Sequence, residues 1–144
     1  MSERTIRSII EGQALVVASA DMTVTEAALL MREKNIGATM VVQGDQLAGI
    51  FTERDALFRV VAPGLDGKTT LLAEVMTRNP QTLSPDDYFA RALHLMHAGG
   101  FRHVPVVEDD RVVGMVSARD ALGPELEGFV YELLRQEQIG QVLA

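Results

Sequence analysis

Gly49-Ile50-Phe51-Thr52-Glu53-Arg54-Asp55-Ala56-Leu57 closes one apolar run of this chain. Gly114-Met115-Val116-Ser117-Ala118-Arg119-Asp120-Ala121-Leu122 closes another, 65 positions later. Each stretch reads as a strand running into a helix: a glycine, two apolar residues, a hydroxyl residue, two more residues, then aspartate. A Ser or Thr just before a helix accepts a hydrogen bond from a free backbone N–H of the first turn, and an acid at the third helical position reaches back to the cap's own N–H. Thr52 with Asp55 and Ser117 with Asp120 therefore predict two capped helix starts, each cap worth about 1 kcal/mol.

The same register extends outward from these stretches. Thr5 falls on Thr70, Ser19 on Ser84, Asp21 on Asp86, Ala27 on Ala92, Leu30-Met31 on Leu95-Met96 and Val41-Val42 on Val106-Val107. An internal repeat is thus the organising signal. It predicts one copy over 5–60, a Pro/Gly-rich connector over 61–69, a second copy over 70–123 and a C-terminal amphipathic helix over 124–144. Each copy predicts the same order of elements. A short apolar helical turn (Ile6, Ile9, Ile10; Leu71, Leu72, Val75) leads to an extended piece (15–17; 81–83). An amphipathic helix follows, with stripes Val24, Ala27, Ala28, Met31 and Phe89, Ala92, Leu93, Met96 at i, i+3, i+4, i+7. Two strands come next (39–42 and 47–51; 104–107 and 112–116), joined by polar turns. A helix starting at Thr52 or Ser117 closes each copy. One copy alone could bury little core, whereas two packed together make a viable unit.

Composition narrows the function. The 144 residues are 47% hydrophobic and 23% charged, enough apolar content for a real core. A net charge of −7 argues against a general nucleic-acid binder, which needs a basic face. No apolar run reaches the length of a membrane span, and no signal peptide is evident. The lack of cysteine fits the reducing cytoplasm, the expected location.

The repeated fragment also carries chemistry. A helix N-terminus offers free N–H groups and a positive dipole end to phosphate, and a carboxylate one turn in can accept both hydroxyls of a ribose. Two copies of helix, strand, helix, two strands and helix, each ending Gly-h-h-[Ser/Thr]-x-x-Asp, with Arg102-His103-Val104-Pro105-Val106-Val107 ahead of the second motif, resemble a pair of CBS domains. The resemblance runs from residue 5 to about 122. It implies an α/β (α+β) fold of two repeats about a pseudo-two-fold axis, each a small mostly antiparallel sheet with two helices, with clefts that take AMP, ADP, ATP or NAD(H)-type adenosyl ligands. Carried over by position, Asp55 and Asp120 would bind ribose and Thr52 and Ser117 would contact phosphate, with Arg54 and Arg119 as phosphate partners. The segments 36–40, with Ala38 and Met40, and 101–105, with Arg102, His103 and Pro105, would line the base pockets. Residues 77–82, with Thr77, Asn79 and Thr82, would form the adenine-facing edge of the second site.

The copies differ at these positions. Copy two has Arg102, His103 and Pro105 where copy one has Gly37, Ala38 and Met40. The second site is therefore expected to be the better nucleotide site, with two potential cations for a phosphate.

Three other patterns carry less. Gly67-Lys68-Thr69 lacks the leading glycine and strand of a phosphate-binding loop. His94 and His97 have metal-binding spacing but no evident third ligand. Ser117, His103 and Asp120 could be drawn as a hydrolase triad, but the Ser and Asp are already cap partners. The expectation is a regulatory nucleotide-sensing module, not an enzyme, with no obligatory cofactor. It is expected to act as a homodimer, with output through assembly or a partner in trans. The alternative is a protein-interaction scaffold that binds no nucleotide.

Beyond the repeat, Pro124 suits a first helical position, and Glu125 and Glu127 suit a helix start. Leu126, Phe129, Val130 and Leu133 make an apolar stripe, widened by Leu134 and extended by Ile139, Val142 and Leu143. Such a helix either folds back on its own pair or crosses to a second subunit. Because the repeats are complete without it, crossing is the expectation.

Overall fold

The computed structural model describes residues 3–143, with side-chain surroundings through 140. Val142 and Leu143 of the tail stripe, like Met1 and Ser2, lie outside that side-chain description. The elements run α1 (Ile6–Ile10), β1 (Val17–Ser19), α2 (Val24–Lys34), β2 (Ala38–Gln43), β3 (Gln46–Thr52) and α3 (Glu53–Asp55), the last continuing as a π-helical segment, Ala56–Val61. The second half has α4 (Leu72–Val75), β4 (Thr77–Arg78), α5 (Phe89–Gly99), β5 (His103–Glu108), β6 (Arg111–Ser117), a 3-10 turn (Ala118–Asp120) and α6 (Gly123–Leu143).

The duplication is visible in the pairing. β1 runs parallel to β2 with Ala18 opposite Val41, and the matching residues Leu83 and Val106 form a parallel bridge. β2–β3 and β5–β6 are antiparallel hairpins with a bulge at the matching place, Val41/Val42 and Val106/Val107. α2 ends on Asn35 and α5 on Gly100, both left-handed (φ 53° and 72°). That conformation closes a helix by freeing its last carbonyls for the turning chain. Val24, Ala27, Met31, Phe89, Ala92, Leu93 and Met96 are buried, as their spacing predicts, but Ala28, expected in the same stripe, is exposed.

The first helices are exchanged. α1 sits on copy two: Ile6 N–H donates to Asp87 O (2.8 Å), Arg7 N–H to Pro85 O (2.9 Å), and Phe89 N–H returns to Arg4 O (2.9 Å). α4 sits on copy one: Leu72 N–H donates to Met22 O (2.9 Å), Ala73 N–H to Ala20 O (3.1 Å), and Val24 N–H to Thr70 O (2.9 Å). The two cores follow suit. Leu72 and Val75 are buried with Val24, Val41 and Phe51. Ile6 is buried with Phe89, Val104 and Val116. These matched bonds also correct the register at the start of each copy. Thr5 bridges Tyr88 as Leu71 bridges Thr23, so Thr5 corresponds to Leu71 rather than to Thr70. Copy two is one residue shorter than copy one between its first helix and its first extended piece, and β4 forms in that stretch.

Two glycines accept the exchanged segments. A Cβ on Gly49 would lie 2.7 Å from Met76 Sδ and 2.7 Å from Thr77 O. A Cβ on Gly114 would lie 2.8 Å from Ile10 Cγ2. β4 therefore joins copy one's sheet, with Arg78 opposite Gly49 and Thr77 opposite Ile50. Among the described residues, copy two's sheet has no such strand. There the side-chain amide of Gln13 bonds Met115, accepting from its N–H (3.0 Å) and donating to its carbonyl (2.9 Å).

The closing helices also differ, which corrects the expectation that both copies end alike. After Thr52 the helix runs on to Val61. After Ser117 it stops as one 3-10 turn, with Ala121 extended (ψ 134°). Pro124 is the physical reason. A continuing helix would need the N–H of residue 124 for the Asp120 carbonyl, and proline has none. That carbonyl accepts instead from Arg4 Nη2 at 2.6 Å.

Candidate functional site

In copy one, β3 delivers Thr52 to the helix start in an extended conformation. Asp55 N–H donates to Thr52 Oγ1 and Thr52 N–H to Asp55 Oδ2, both at 3.1 Å. The carboxylate of Asp55 is buried at 7% exposure and is met by further donors. Thr77 Oγ1 donates to its two oxygens at 3.3 and 3.4 Å. Arg59 Nε lies 3.5 Å from Oδ1, and Arg59 also donates to the carbonyls of Val75 and Met76. Asp55 thus pins the exchanged α4–β4 segment to its own repeat.

This corrects the placement of Thr77. Strand β4 pairs with β3, so Thr77 belongs beside Asp55 and not beside Asp120. Asn79 is exposed with a left-handed backbone (φ 49°), and Thr82 is exposed. No bond links either to the second motif among the described residues. Arg54 turns from the motif and stacks over Phe58, 5.3 Å from the ring centre. Glu53 fills the space above Gly37, where any Cβ would overlap its Oε1.

In copy two, Ser117 N–H donates to Asp120 Oδ2 at 2.7 Å. Asp120 is half-buried, and its other carboxylate oxygen has no partner among the described residues. Ser117 faces His103 across the β5–β6 ladder, as Thr52 faces Ala38 across β2–β3. Arg102 and Arg119 are exposed, and the Arg102 carbonyl accepts from Ala118 N–H (3.0 Å). Ala38, Met40 and Pro105 are buried. Met40 sits between Val17 and Ile50 in the sheet, and the Pro105 carbonyl accepts from Leu83 N–H (3.0 Å).

His103 is biased towards its neutral form. Burial, then the Arg102 guanidinium, holds it below the ordinary histidine range; Arg119 pushes the same way, and Glu53 and Asp120 offset only part of the effect. That revises the expectation of two cations: Arg102 is the cation, and a neutral imidazole is a hydrogen-bonding group. Glu53 acts on His103 from the other repeat, so the two motifs converge on one region between the copies. The charge of that region is divided. Copy one contributes Glu53 at the position that is Ala118 in copy two, and copy two contributes Arg102 at the position that is Gly37.

One feature carries no signal of the kind used for the motifs. Arg4 grips the Asp120 carbonyl and pairs with Glu125 through two bonds, 3.0 and 2.6 Å. Glu125 in turn accepts from Leu122 N–H (2.8 Å), and the Arg4 pairing holds its carboxyl below the usual range. Arg59 was discoverable in principle, being four residues after Asp55, the spacing of a helical ion pair. Among the described residues no group of His, Asp and Glu could hold a metal ion. His94 and His97 pack edge-on against Phe129 (4.9 and 5.7 Å between ring centres).

Two repeats with exchanged first helices, each closing on a capped Gly-h-h-[Ser/Thr]-x-x-Asp turn at their junction, define a tandem module of the regulatory, ligand-binding class. The sequence pattern of the CBS domain matches residues 6–62 and 72–124, and the chain belongs to the CBS-domain family. It is 38% identical over 109 residues to the CBS domain-containing protein CBSX3, mitochondrial, of Arabidopsis thaliana, covering 72% of this chain and 53% of that protein. The chain thus spans about half the length of that relative, and 19% of another Arabidopsis CBS protein, CBSCBSPB2. A putative signal-transduction protein with CBS domains from Burkholderia ambifaria superposes with a TM-score of 0.77 at 33% identity, over 81% of this chain and 90% of that one. The CBS domain protein PAE2072 from Pyrobaculum aerophilum, complexed with AMP, shares the fold with a TM-score of 0.76 at 22% identity, over 89% of this chain and 99% of that one. No helix among the described residues is long and apolar enough to cross a membrane.

Proposed function

We propose that this chain is a nucleotide-sensing regulatory module, not an enzyme, and that its working site is the second motif. There Asp120 would accept the ribose hydroxyls of an adenine nucleotide, Ser117 and Arg119 would meet phosphate, and Arg102 and His103 would flank it. The observation that carries the reading is the unequal state of the two aspartates. Asp55 is already occupied by Thr52, Thr77 and Arg59, whereas Asp120 keeps one oxygen without a protein partner among the described residues and has Arg102 and Arg119 nearby. PAE2072, a protein of the same fold, is complexed with AMP, which supports an adenosine ligand over other anions. ATP, ADP and NADH present the same ribose and phosphate groups. We further propose that the module is a homodimer in the cytoplasm and that its output runs through assembly or a partner in trans.

Calorimetry of ligand-free protein with AMP, ADP, ATP and NADH tests this. A ligand at one hundred times its Kd should raise stability by about 2.7 kcal/mol. Asp120→Ala should weaken binding at least tenfold, about 1.4 kcal/mol, and Asp55→Ala much less. A silent titration with every compound would leave the scaffold reading in possession, and a larger loss from Asp55→Ala would move the site to copy one.

A further inference from the structure

Asp120 is the residue on which the proposed site depends, and the turn that carries it has few bonds of its own. Within the 3-10 turn, Ala121 N–H reaches Ala118 O at 3.3 Å. The chain is already extended at Ala121, so the helix does not continue to add more. Pro124 removes the donor that a continuing helix would bring to the Asp120 carbonyl. Copy one is not interrupted in this way, because its chain stays helical from Glu53 to Val61.

Arg4 supplies the missing donor from 116 residues away. Its Nη2 donates to Asp120 O at 2.6 Å, and Nη2 and Nε donate to the two carboxylate oxygens of Glu125 at 2.6 and 3.0 Å. The guanidinium lies over the buried ring of Phe89, 5.3 Å from its centre, and the Arg4 carbonyl accepts from Phe89 N–H. The planar fork is thus fixed at its backbone, across its face and at its tip, and a fork of this kind holds two acceptors in one geometry. Glu125 carries the link into α6, because it also accepts from Leu122 N–H at 2.8 Å. The residue that matches Arg4 is Thr70, whose carbonyl accepts from Val24 N–H as that of Arg4 does from Phe89 N–H. The short side chain of Thr70 donates to Asp66 O instead, at 2.8 Å.

We propose that Arg4 positions Asp120 for the ribose of the nucleotide and, through Glu125, couples occupancy of that site to the start of α6. The inference rests on the reading of Asp120 given above. A ligand that draws the Asp120 carboxylate into one orientation also fixes the residue whose carbonyl Arg4 holds, and so favours the closed Arg4–Glu125 pair. The coupling is reciprocal: loosening the pair weakens the ligand by the factor by which the ligand tightens the pair. Occupancy is then read at α6, an element outside both repeats.

Calorimetry of the full chain with AMP and with its dideoxyribose analogue tests the positioning. The analogue keeps the base and the phosphate but lacks both hydroxyls that Asp120 would accept, so the wild type should prefer AMP. Arg4→Gln should weaken AMP at least about fivefold and the analogue by less than about twofold, because only the ribose contact depends on where Asp120 stands. Amide hydrogen exchange at Leu122 and Leu126 tests the coupling. Saturating AMP should slow both amides at least about fivefold in the wild type and leave them unchanged in Arg4→Gln. An Arg4→Gln chain that loses no AMP affinity or loses both ligands equally, or exchange that AMP does not slow, would overturn the inference and leave the nucleotide site standing. A wild type that binds neither compound, or both alike, would remove the site and the inference together. Should Arg4→Gln misfold, Glu125→Gln decides by the same criteria, since it keeps an acceptor for Leu122 N–H and loses only the charge that holds Arg4.

Discussion

The two motifs have the same pattern and share the bond from the cap's N–H to the aspartate, yet Asp55 and Asp120 have different surroundings. Asp55 faces a segment that came from the other repeat, and Thr77 and Arg59 turn its carboxylate into a fastener. Asp120 meets no such side-chain donors among the described residues: the segment that copy one lends to copy two reaches β6 through Gln13, whose side chain bonds Met115. One aspartate holds the repeats together, and the other keeps a carboxylate oxygen without a partner among the described residues. After duplication, it is the neighbours of a motif that decide its use.

The most direct test of this contrast is stability without ligand. Asp55→Ala should cost about 2 kcal/mol, since it leaves the half-buried Thr52 N–H and Thr77 hydroxyl without their acceptor. Asp120→Ala removes little more than a cap and should cost about 1 kcal/mol. Urea unfolding of both variants measures the gap, and equal losses would erase the distinction. The glycines sharpen it next. Gly49→Ala drives a methyl against the backbone carbonyl of Thr77, whereas Gly114→Ala presses on the side chains of Ile10 and Gln13. Overpacking of this kind costs roughly 1–3 kcal/mol, with Gly49→Ala expected at the upper end and Gly114→Ala at the lower; the reverse order in thermal melts would show that α4–β4 is the more yielding partner.

The smallest effect concerns His103, which has no counterpart in copy one. Its folded-state pKa is depressed, so as pH falls below about 6.5 the unfolded chain takes up a proton before the folded one. The contribution is present above that pH and is lost on the acid side. His103→Gln should flatten the slope of stability against pH between about 6.5 and 5, and an unchanged slope would mean the imidazole is not held neutral.

Much of this was legible from residue order. The capping pairs at Thr52 and Ser117, the stripes of α2 and α5 and both hairpins follow from local spacing, and the structure has them within a residue or two. The exchange of α1 and α4 was not legible. A repeat register compares the chain with itself and carries nothing about which copy a short apolar helix packs on, so Thr77 was assigned to the wrong aspartate. The early stop after Ser117 could have been read from Pro124, four residues beyond Asp120, had the proline been weighed against that carbonyl as well as for the helix that follows. The grip of Arg4 on Asp120 depends on the fold bringing residue 4 to the far end of the chain, which no local pattern encodes.

The exchange of first helices also bears on how the chain is made. α1 is synthesised before the core of either repeat, but its seat beside Phe89 and Val104 belongs to the repeat that is synthesised second. Until that half emerges, Ile6 has nowhere native to go. Copy one meanwhile awaits Leu72 and Val75 from beyond the connector before its core can close. Neither half can finish folding during its own synthesis, so native packing of both waits on one late, long-range closure. Contacts of that range slow folding.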